Sequence, residues 1–429
     1  MKKRHYFAAA VAMAGFIALN SCSDSDSGKN EFKPIQLNTK SRATAEQLEC
    51  FYVEFAKDAF KYVDSSVKEG QTRPMVVVSP LSASMALGMY ANGVDARTQD
   101  GIVGYLGVDD VEGINTLSES LLDKLPDIDR KSDLRLANSV WSSSEYTLNS
   151  GFSSVMTGSY DAQVRYVDFN DSENARASIN RWAASATGNM IPEFLKTISQ
   201  KTYFILANAV CFQSQWADKY FDKSKTISGI FHGLNEGAPG EVKDNLVQKV
   251  PMMHSSTIEE VPYANDGDFE YASIPFGNGA FSISFLLPRE GLHYDDALEL
   301  LDISRYNSLV AGSSNRDIRL VMPRLDIKSS VDISGMLASR GISLQPENIS
   351  LFTEPVPDII ISSEQSVCLT LDESGVKVAA VTYDEGIALD PTPTEPYTLE
   401  LNRPFIFFIT EQSTNACIIA GRVLDFQKY

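Results

Sequence analysis

The sequence contains almost none of the residue patterns on which known enzyme classes depend. Only four histidines occur in 429 residues, and His232, His254 and His293 lie beyond the N-terminal leader in unrelated contexts without metal-ligand spacing. The chain has no H-E-x-x-H zinc motif, no G-x-S-x-G nucleophile motif, no phosphate-binding G-x-x-x-x-G-K and no dinucleotide glycine fingerprint. The sequence therefore predicts a protein that is not an enzyme and that has no metal or cofactor.

Positive charge is also scarce, with 37 Lys and Arg against 56 Asp and Glu and a net charge of −19. The phosphates of nucleic acids and anionic membrane surfaces do not attract an acidic protein. Neither is therefore expected as a partner. With 43% hydrophobic and 22% charged residues, the composition is that of a globular protein that can build a core without disulfides.

Cysteine is rare: the five are Cys22, Cys50, Cys211, Cys368 and Cys417. If Cys22 carries lipid, four cysteines remain, and this even number allows disulfides in an exported protein. Cys211, Cys368 and Cys417 each lie in an apolar, strand-like run, where a free thiol packs as a small hydrophobic side chain. Buried free thiols are therefore the preferred interpretation.

Residues 1–21 have the features of a bacterial lipoprotein signal peptide. "MKKRH" is a basic region, and the apolar run "YFAAAVAMAGFIAL" is too short for a comfortable membrane span. "LNSC", which ends at Cys22, resembles a lipobox, in which the cysteine is lipidated and becomes the first mature residue. Residues 22–44 are polar and predict a flexible tether, and their "SDSDSG" resembles a surface-export tag. We expect a lipid anchor in the bacterial outer membrane, with the protein periplasmic or exposed at the cell surface; a signal peptide cut elsewhere, with an incidental cysteine, is the alternative.

Helical patterns dominate the first half of the chain and strand patterns the second. "AEQLECFYVEFAKDAFKYV" has apolar residues at helical spacing, and "VVVSP" predicts a short strand that breaks where Ser79 and Pro80 begin a small-residue helix. "TYFILANAVCF" is typical of a strand that is buried on both faces. Later, "IRLVMPRLDI" and "YTLELNRPFIFFIT" are each predicted as a strand, and "DISGMLASRGI" as a helix. This order indicates an α+β fold, and we expect one domain over residues 45–429.

The segment "DESGVKVAAVTYDEGIALDPTPTEP", Asp372–Pro396, joins a strand-like half to a half that cannot be a strand. No proline occurs between Asp372 and Leu389, whereas three follow within residues 391–396, and proline blocks ladder pairing. Beyond Gly375, alternate residues would face inward if the first half joined a sheet. This inward set is Val376, Val378, Ala380, Thr382, Asp384 and Gly386. Its first four members are small, apolar or hydroxylic, which favours such insertion.

Seven stretches, in the same order over residues 46–427, resemble the serpin family of protease inhibitors. They are "VVVSPLSASMALGMYANGVDARTQDGI", "LANAVCFQSQW", "VPMMH", "FSISFLLP", "VMPRLDIKSSVDISGMLASRGI", "LDESGVKVAAVT" and "LNRPFIFFI". The resemblance implies an α+β, serpin-like fold with a large central mixed sheet, two further sheets and about eight or nine helices. It also implies an exposed reactive loop at about residues 375–396.

The family's mechanism is implied as well. A target protease cleaves the reactive loop and is held as an acyl-enzyme, while the N-terminal half of the loop inserts into the central sheet as an extra strand. The uninserted protein is then metastable. The implied hinge residues are Glu373, Gly375, Val376, Val378, Ala380 and Thr382.

The family's spacing places the reactive bond at Leu389–Asp390, 14 positions after Gly375. Leucine before the bond implies a serine protease, or a cysteine protease, with an apolar primary pocket of chymotrypsin, elastase or cathepsin type. Cleavage one bond earlier, after Ala388, would suit an elastase.

The sequence departs from the family at the region that opens the sheet, called the shutter, and at the hinge. The resemblance implies a shutter at Ser79, Asn208 and Gln365, where glutamine replaces histidine and cannot titrate. Val376 stands where the family has Thr or Ser, and Asp384 would bring a carboxylate to the inward face. These departures support the alternative of a non-inhibitory serpin that acts as a surface binding or decoy protein. In either case we expect a monomer whose only membrane contact is its lipid anchor.

Overall fold

The computed structural model describes residues 30–68, 71–198, 202–234, 246–342, 349–354, 360–375 and 395–426. The chain divides into two compact units, Met1–Glu31 and Phe32–Tyr429, and the secondary structure described below belongs to the second.

The described residues contain nine α-helices, most of them in the N-terminal half of the chain. They are α1 (Thr39–Ser65), α2 (Pro80–Ala91), α3 (Ala96–Leu106), α4 (Val111–Lys124), α5 (Ser150–Ser159), α6 (Ser172–Ala186), α7 (Tyr294–Leu300), α8 (Ile303–Ala311) and α9 (Ile333–Ser339). All nine begin after a polar residue whose side chain accepts a hydrogen bond from the first turn, as expected of N-caps. These caps are Asn38, Ser79, Asp95, Asp110, Asn149, Asp171, His293, Asp302 and Asp332.

The folded unit starts earlier than the predicted boundary at residue 45. Ile35 is only 6% exposed, and its N–H donates to Ser413 Oγ at 2.9 Å. Asn38 then caps α1, and Ser41 and Thr44 are buried in it. The tether predicted over residues 22–44 was therefore wrong for its last ten or so residues, because the polar residues of a helix cap resemble those of a linker.

Fourteen strands lie in the described residues. They are β1 (Val76–Val78), β2 (Ser132–Ser143), β3 (Gln163–Val167), β4 (Thr202–Ser214), β5 (Ile227–Gly233), β6 (Leu246–Asn265), β7 (Phe269–Pro275), β8 (Phe281–Pro288), β9 (Ser314–Pro323), β10 (Leu325–Asp332), β11 (Ile360–Leu371), β12 (Tyr397–Glu400), β13 (Phe405–Glu411) and β14 (Cys417–Val423). Two 3-10 turns, Leu125–Asp127 and Lys223–Lys225, complete the elements.

The strands form two hydrogen-bonded sheets within the described part of the chain. The five-stranded sheet has the order β10-β11-β4-β2-β3, and it mixes parallel and antiparallel pairs. The nine-stranded sheet has the order β1-β14-β13-β8-β7-β6-β9-β12, with β5 paired to β6. The two further sheets that the resemblance implied are joined here, because β6 is 20 residues long and pairs with β5 near its start and with β7 at its end.

Two runs predicted as single strands are each two strands. "IRLVMPRLDI" breaks after Pro323, and Arg324 marks the corner where the chain passes from the nine-stranded to the five-stranded sheet. "YTLELNRPFIFFIT" breaks before Pro404, between β12 and β13. Proline lacks the N–H that a ladder requires, so each run ends its first strand at or near its proline.

Helix α2 lies in the core, and all of its residues from Pro80 to Ala91 are buried. Its small residues let neighbours approach closely: a Cβ at Gly88 would lie 2.4 Å from both Ile114 Cγ2 and the Tyr160 hydroxyl. The helix packs against α4, against β4 of the five-stranded sheet and against β14 of the nine-stranded sheet, and so connects the two sheets. No helix within the described ranges is long and apolar enough to cross a membrane.

Candidate functional site

The seam between β4 and β11, at the centre of the five-stranded sheet, is closed. The two strands are parallel, in a register that pairs Thr202 with Ile360 at one end and Cys211 with Cys368 at the other. Their outer neighbours, β2 and β10, are antiparallel to them. A strand that entered the seam antiparallel to both would replace one parallel ladder by two antiparallel ladders, which are slightly more stable per residue. The topology therefore favours the addition of a strand at this seam.

The chain turns back at the end of β11 and meets the end of β4. Asp372 and Gly375 exchange two backbone hydrogen bonds of 3.0 Å, and Gly375 also forms an antiparallel bridge with Gln215. Gly375 has φ +88°, a conformation that favours glycine. A Cβ at this position would lie 2.4 Å from the backbone nitrogen of Trp216. The predicted hinge glycine thus lies at the entrance to the seam, in a place that only glycine fits without strain.

Glu373, in the same turn, is held by a cluster of donors. Its side chain is 2% exposed, and Arg324 Nε donates to Oε1 at 2.9 Å. Arg324 Nη2 and Thr226 Oγ1 donate to the same oxygen. Burial by itself would raise the pKa of Glu373, but the hydrogen bonds from Arg324 and Thr226 outweigh it and hold this pKa below its ordinary value. Glu373 is therefore ionised, and its carboxylate attaches the predicted hinge to the corner between the two sheets.

Trp216 covers the hinge turn from the end of β4. Its indole N–H donates to the Asp372 carbonyl at 3.0 Å. Its ring stacks on Phe276 with centroids 4.9 Å apart and planes 25° from parallel. Trp216 therefore supports both the turn and the entrance to the seam.

The three predicted shutter residues lie in one hydrogen-bonded network that joins the start of α2 to the two seam strands, β4 and β11. Ser79 N–H donates to Gln365 Oε1 at 2.8 Å, and Gln365 Nε2 donates to the Ser79 carbonyl at 2.9 Å. Asn208 joins them through Ser82, whose hydroxyl donates to Asn208 Oδ1 and accepts from Gln365 Nε2 at 3.3 Å. Opening the seam moves Gln365 away from Asn208, because the two residues are register partners on β11 and β4.

Asn138 extends this network to a third strand. It pairs with Asn208 in the register of β2 and β4. Asn208 Nδ2 donates to Asn138 Oδ1 at 2.5 Å, and Asn138 Nδ2 donates to the Tyr160 carbonyl at 2.8 Å. Asn138 was not predicted from the sequence, although a signal was present: "LANSV" around Asn138 nearly repeats the "LANAV" around Asn208. Arg324 and Thr226 were not predicted either, because they lie far from Glu373 along the chain and have no pattern that connects them to it.

The remaining predicted site residues lie outside the described residues. They are Val376, Val378, Ala380, Thr382, Leu389, Asp390 and Cys22. Four cysteines within the described ranges are free thiols: Cys50 is exposed, Cys211 and Cys417 are buried, and Cys368 is partly buried. The same ranges contain no group of three or more His, Cys, Asp or Glu side chains arranged to hold a metal ion.

The chain matches a known protein family over most of its length. The family model described as "Serpin (serine protease inhibitor)" matches residues 53–426. The chain belongs to the serpin family. Serpins are protease inhibitors rather than enzymes, although some members of the family are non-inhibitory.

Individual serpins resemble this one over most of its length. Alpha-1-antitrypsin 1-5 of Mus musculus is 28% identical over 360 residues, which cover 82% of this chain and 83% of the relative. Alpha-1-antiproteinase of Callosciurus caniceps is 26% identical over 381 residues, which cover 87% of each chain. These relatives support protease inhibition as the general activity of this serpin.

Solved structures agree with the fold. The thermophilic serpin tengpin in its native state has a TM-score of 0.76 and 25% identity, with 92% of this chain and 97% of tengpin covered. Human thyroxine-binding globulin, solved in complex with thyroxine, has a TM-score of 0.76 and 21% identity, with 89% of this chain and 99% of the globulin covered, and shows the fold alone. The predicted α+β serpin fold is confirmed.

Proposed function

We propose that this serpin inhibits serine proteases of chymotrypsin or elastase type, and cathepsin-like cysteine proteases, by loop cleavage and loop insertion. The loop would enter the seam between β4 and β11. The observation that carries the proposal is the antiparallel bridge between Gly375 and Gln215, because it sets Gly375, the last described residue before the loop, in the direction that entry antiparallel to β4 requires.

The closed seam and its supports favour a metastable starting state. The parallel ladder of β4 and β11 runs from Thr202 to Cys211 and is regular from Phe204 onward, after one shift of register next to Thr202. The shutter network and the Glu373–Arg324 pair stabilise the seam and its entrance respectively. Insertion would exchange these contacts for two antiparallel ladders along the loop.

The reactive bond of the proposal is Leu389–Asp390, from the family's spacing relative to Gly375. A leucine before the bond suits an apolar primary pocket. A trypsin-like target is disfavoured, because no Lys or Arg occurs between Lys377 and Arg403.

Incubation with chymotrypsin, pancreatic elastase and trypsin tests the proposal. We expect a covalent, detergent-stable complex with chymotrypsin or elastase, and a released C-terminal peptide whose mass begins at Asp390. The variant Leu389→Arg is the matched control, and it should move complex formation to trypsin. Cleavage near Leu389 without any complex would show that the protein is a substrate rather than an inhibitor.

A non-inhibitory surface binding or decoy protein is the second candidate, and Val376 and Asp384 are the residues that favour it. A bulky residue at the hinge and an inward carboxylate both oppose insertion. Thermal melts before and after loop cleavage separate the two candidates. A large rise in Tm after cleavage supports insertion, whereas an unchanged Tm supports the binding protein.

We also propose that lipidation of Cys22 anchors the protein in the bacterial outer membrane. The anchored protein would face either the periplasm or the cell surface. The support is the "LNSC" motif after a short apolar run. Labelled fatty acid should enter the protein in its host and should be absent from the variant Cys22→Ala. Protease shaving of whole cells separates surface from periplasmic display.

A further inference from the structure

Two free cysteines face each other across the seam. Cys211 of β4 and Cys368 of β11 are register partners, and their sulfur atoms are 3.3 Å apart. Neither belongs to the hinge or to the shutter network. They form the last paired row of the ladder, at the end of the seam nearest the hinge.

The positions of the two residues suit a disulfide bond. Neighbouring strands lie about 4.8 Å apart, and bonded cysteines have Cα atoms roughly 4.4–6.8 Å apart. Cys211 is 0% exposed, whereas Cys368 is only partly buried and so can be reached from solvent. A reagent would therefore meet Cys368 first.

The charges around the pair favour reaction at Cys368. In the register of the sheet, Arg135 lies beside Cys211 on β2, and the exposed Lys328 lies beside Cys368 on β10. The hydrogen bond with Cys211 lowers the pKa of Cys368, and Lys328 lowers it further, against the effect of burial and of Asp326. A thiolate beside a cation is the reactive form of cysteine.

We propose that Cys211 and Cys368 form an oxidant-made disulfide that locks the seam closed and blocks loop insertion. The inference rests on the proposed function, because it requires that the loop enters between β4 and β11. It adds a modification site and a redox control of inhibition: the reduced serpin inhibits proteases, and the oxidised serpin is only a substrate.

The oxidant is a disulfide, either a small molecule or the active site of a thiol oxidoreductase. The Cys368 thiolate attacks one sulfur of this disulfide, forms a mixed disulfide and releases the other half as a thiolate. Cys211 then loses its proton and attacks the Cys368 sulfur, which releases the second half as a thiolate. In sum, two protein thiols are oxidised to one disulfide, and one external disulfide is reduced to two thiols.

The lock follows from distance. A strand inserted between β4 and β11 would move them to about twice the strand spacing, roughly 9.6 Å. Cysteines whose Cα atoms are more than about 7 Å apart cannot remain bonded. The row lies four residues from Gln215, or about 13 Å along β4. Insertion in the oxidised protein would therefore stop after about four residues.

The test uses the full mature chain with Cys50→Ser, which removes the exposed thiol. One sample is oxidised with glutathione disulfide and another is kept reduced, and peptide mass spectrometry identifies the linked cysteines. We expect a Cys211–Cys368 link, loss of the covalent complex with chymotrypsin while cleavage near Leu389 continues, and recovery with dithiothreitol. The variant Cys368→Ala should inhibit under both conditions.

The proposal is overturned if oxidation yields no Cys211–Cys368 link, or if the linked protein still traps chymotrypsin. If the reduced protein traps no protease, the proposed function fails, and the lock is then judged from melts after loop cleavage. A rise in Tm confined to the reduced sample supports the lock. Equal melting behaviour of both samples overturns it.

Discussion

Arg324 and Glu373 form an ion pair across the boundary between the two sheets, with the carboxylate buried and the guanidinium partly solvated. Their side chains are 44% and 2% exposed respectively. Arg324 marks the corner between β9 and β10, and Glu373 lies in the turn after β11. The pair therefore connects the start of the predicted reactive loop to the point where the chain changes sheets.

Removal of Arg324 should loosen the hinge. Arg324→Ala leaves the Glu373 carboxylate buried without its cation, and we expect the free energy of unfolding to fall by about 1–2 kcal/mol, a modest value because the guanidinium is partly solvated. Urea unfolding measures the change. Lys61→Ala is the control, because it removes the exposed ion pair with Glu299 and should change stability by less than about 0.5 kcal/mol. Equal losses in the two variants would contradict a special role for the hinge pair.

Glu364, on β11, should make stability depend on pH. Burial and the charge of Asp332 raise its pKa from about 4.5 to about 7, against a hydrogen bond from Ser330. The folded state thus binds this proton more tightly than the unfolded state, so the stability due to Glu364 is complete below about pH 4.5, falls as pH rises to about 7, and is then constant.

The variant Glu364→Gln should remove this fall. We expect it to be more stable than the wild type by about 1–3 kcal/mol at pH 8 and equally stable at pH 4. Urea unfolding at several pH values measures the difference. Asp332→Asn keeps a side chain that can cap α9 and removes the neighbouring charge, so it should narrow the pH range of the effect. Parallel stability curves for Glu364→Gln and the wild type would show that Glu364 does not titrate in this way.

Gly375 should tolerate alanine less well than another glycine with the same backbone angle. Gly375 and Gly279 both have φ +88°, but a Cβ at Gly279 would meet nothing within 4 Å. Gly279→Ala should cost about 1–2 kcal/mol from backbone strain alone. Gly375→Ala should cost more, because its Cβ would collide with the backbone at Trp216. Chemical unfolding of both variants measures the difference. Equal losses of unfolding free energy would mean that the backbone around Gly375 can shift to accommodate the Cβ.

Gln365 should stabilise the closed seam through Ser79. Gln365→Ala leaves the buried N–H and C=O of Ser79 without the amide that pairs with both, and we expect a loss of about 1–3 kcal/mol. Thr370→Ala, on the same strand, is the control, because its exposed hydroxyl contacts only Asp326 in the described part of the chain and should matter little. Tm measurements compare the two, and a Gln365→Ala variant as stable as Thr370→Ala would exclude this role.

The local elements of the fold could be predicted from sequence because their signals are local. Ser79 followed by Pro80 predicted the start of α2, and the apolar run around Asn208 predicted a buried strand. The errors were local as well: a helix cap was interpreted as tether, and Pro323 and Pro404 were placed inside single strands. In each case the same residue types occur in both structures, so composition could not separate them.

The sequence by itself determined the family and the predominance of helices in the first half and strands in the second, and it predicted the hinge glycine, since these depend on neighbours along the chain. Only the tertiary structure decided which distant residues meet. Arg324 lies beside Glu373, and Cys211 beside Cys368, although the two cysteines are 157 positions apart. The physical reason is that strand pairing is set by register across a sheet, and a register between strands so far apart leaves no pattern in the sequence of either strand.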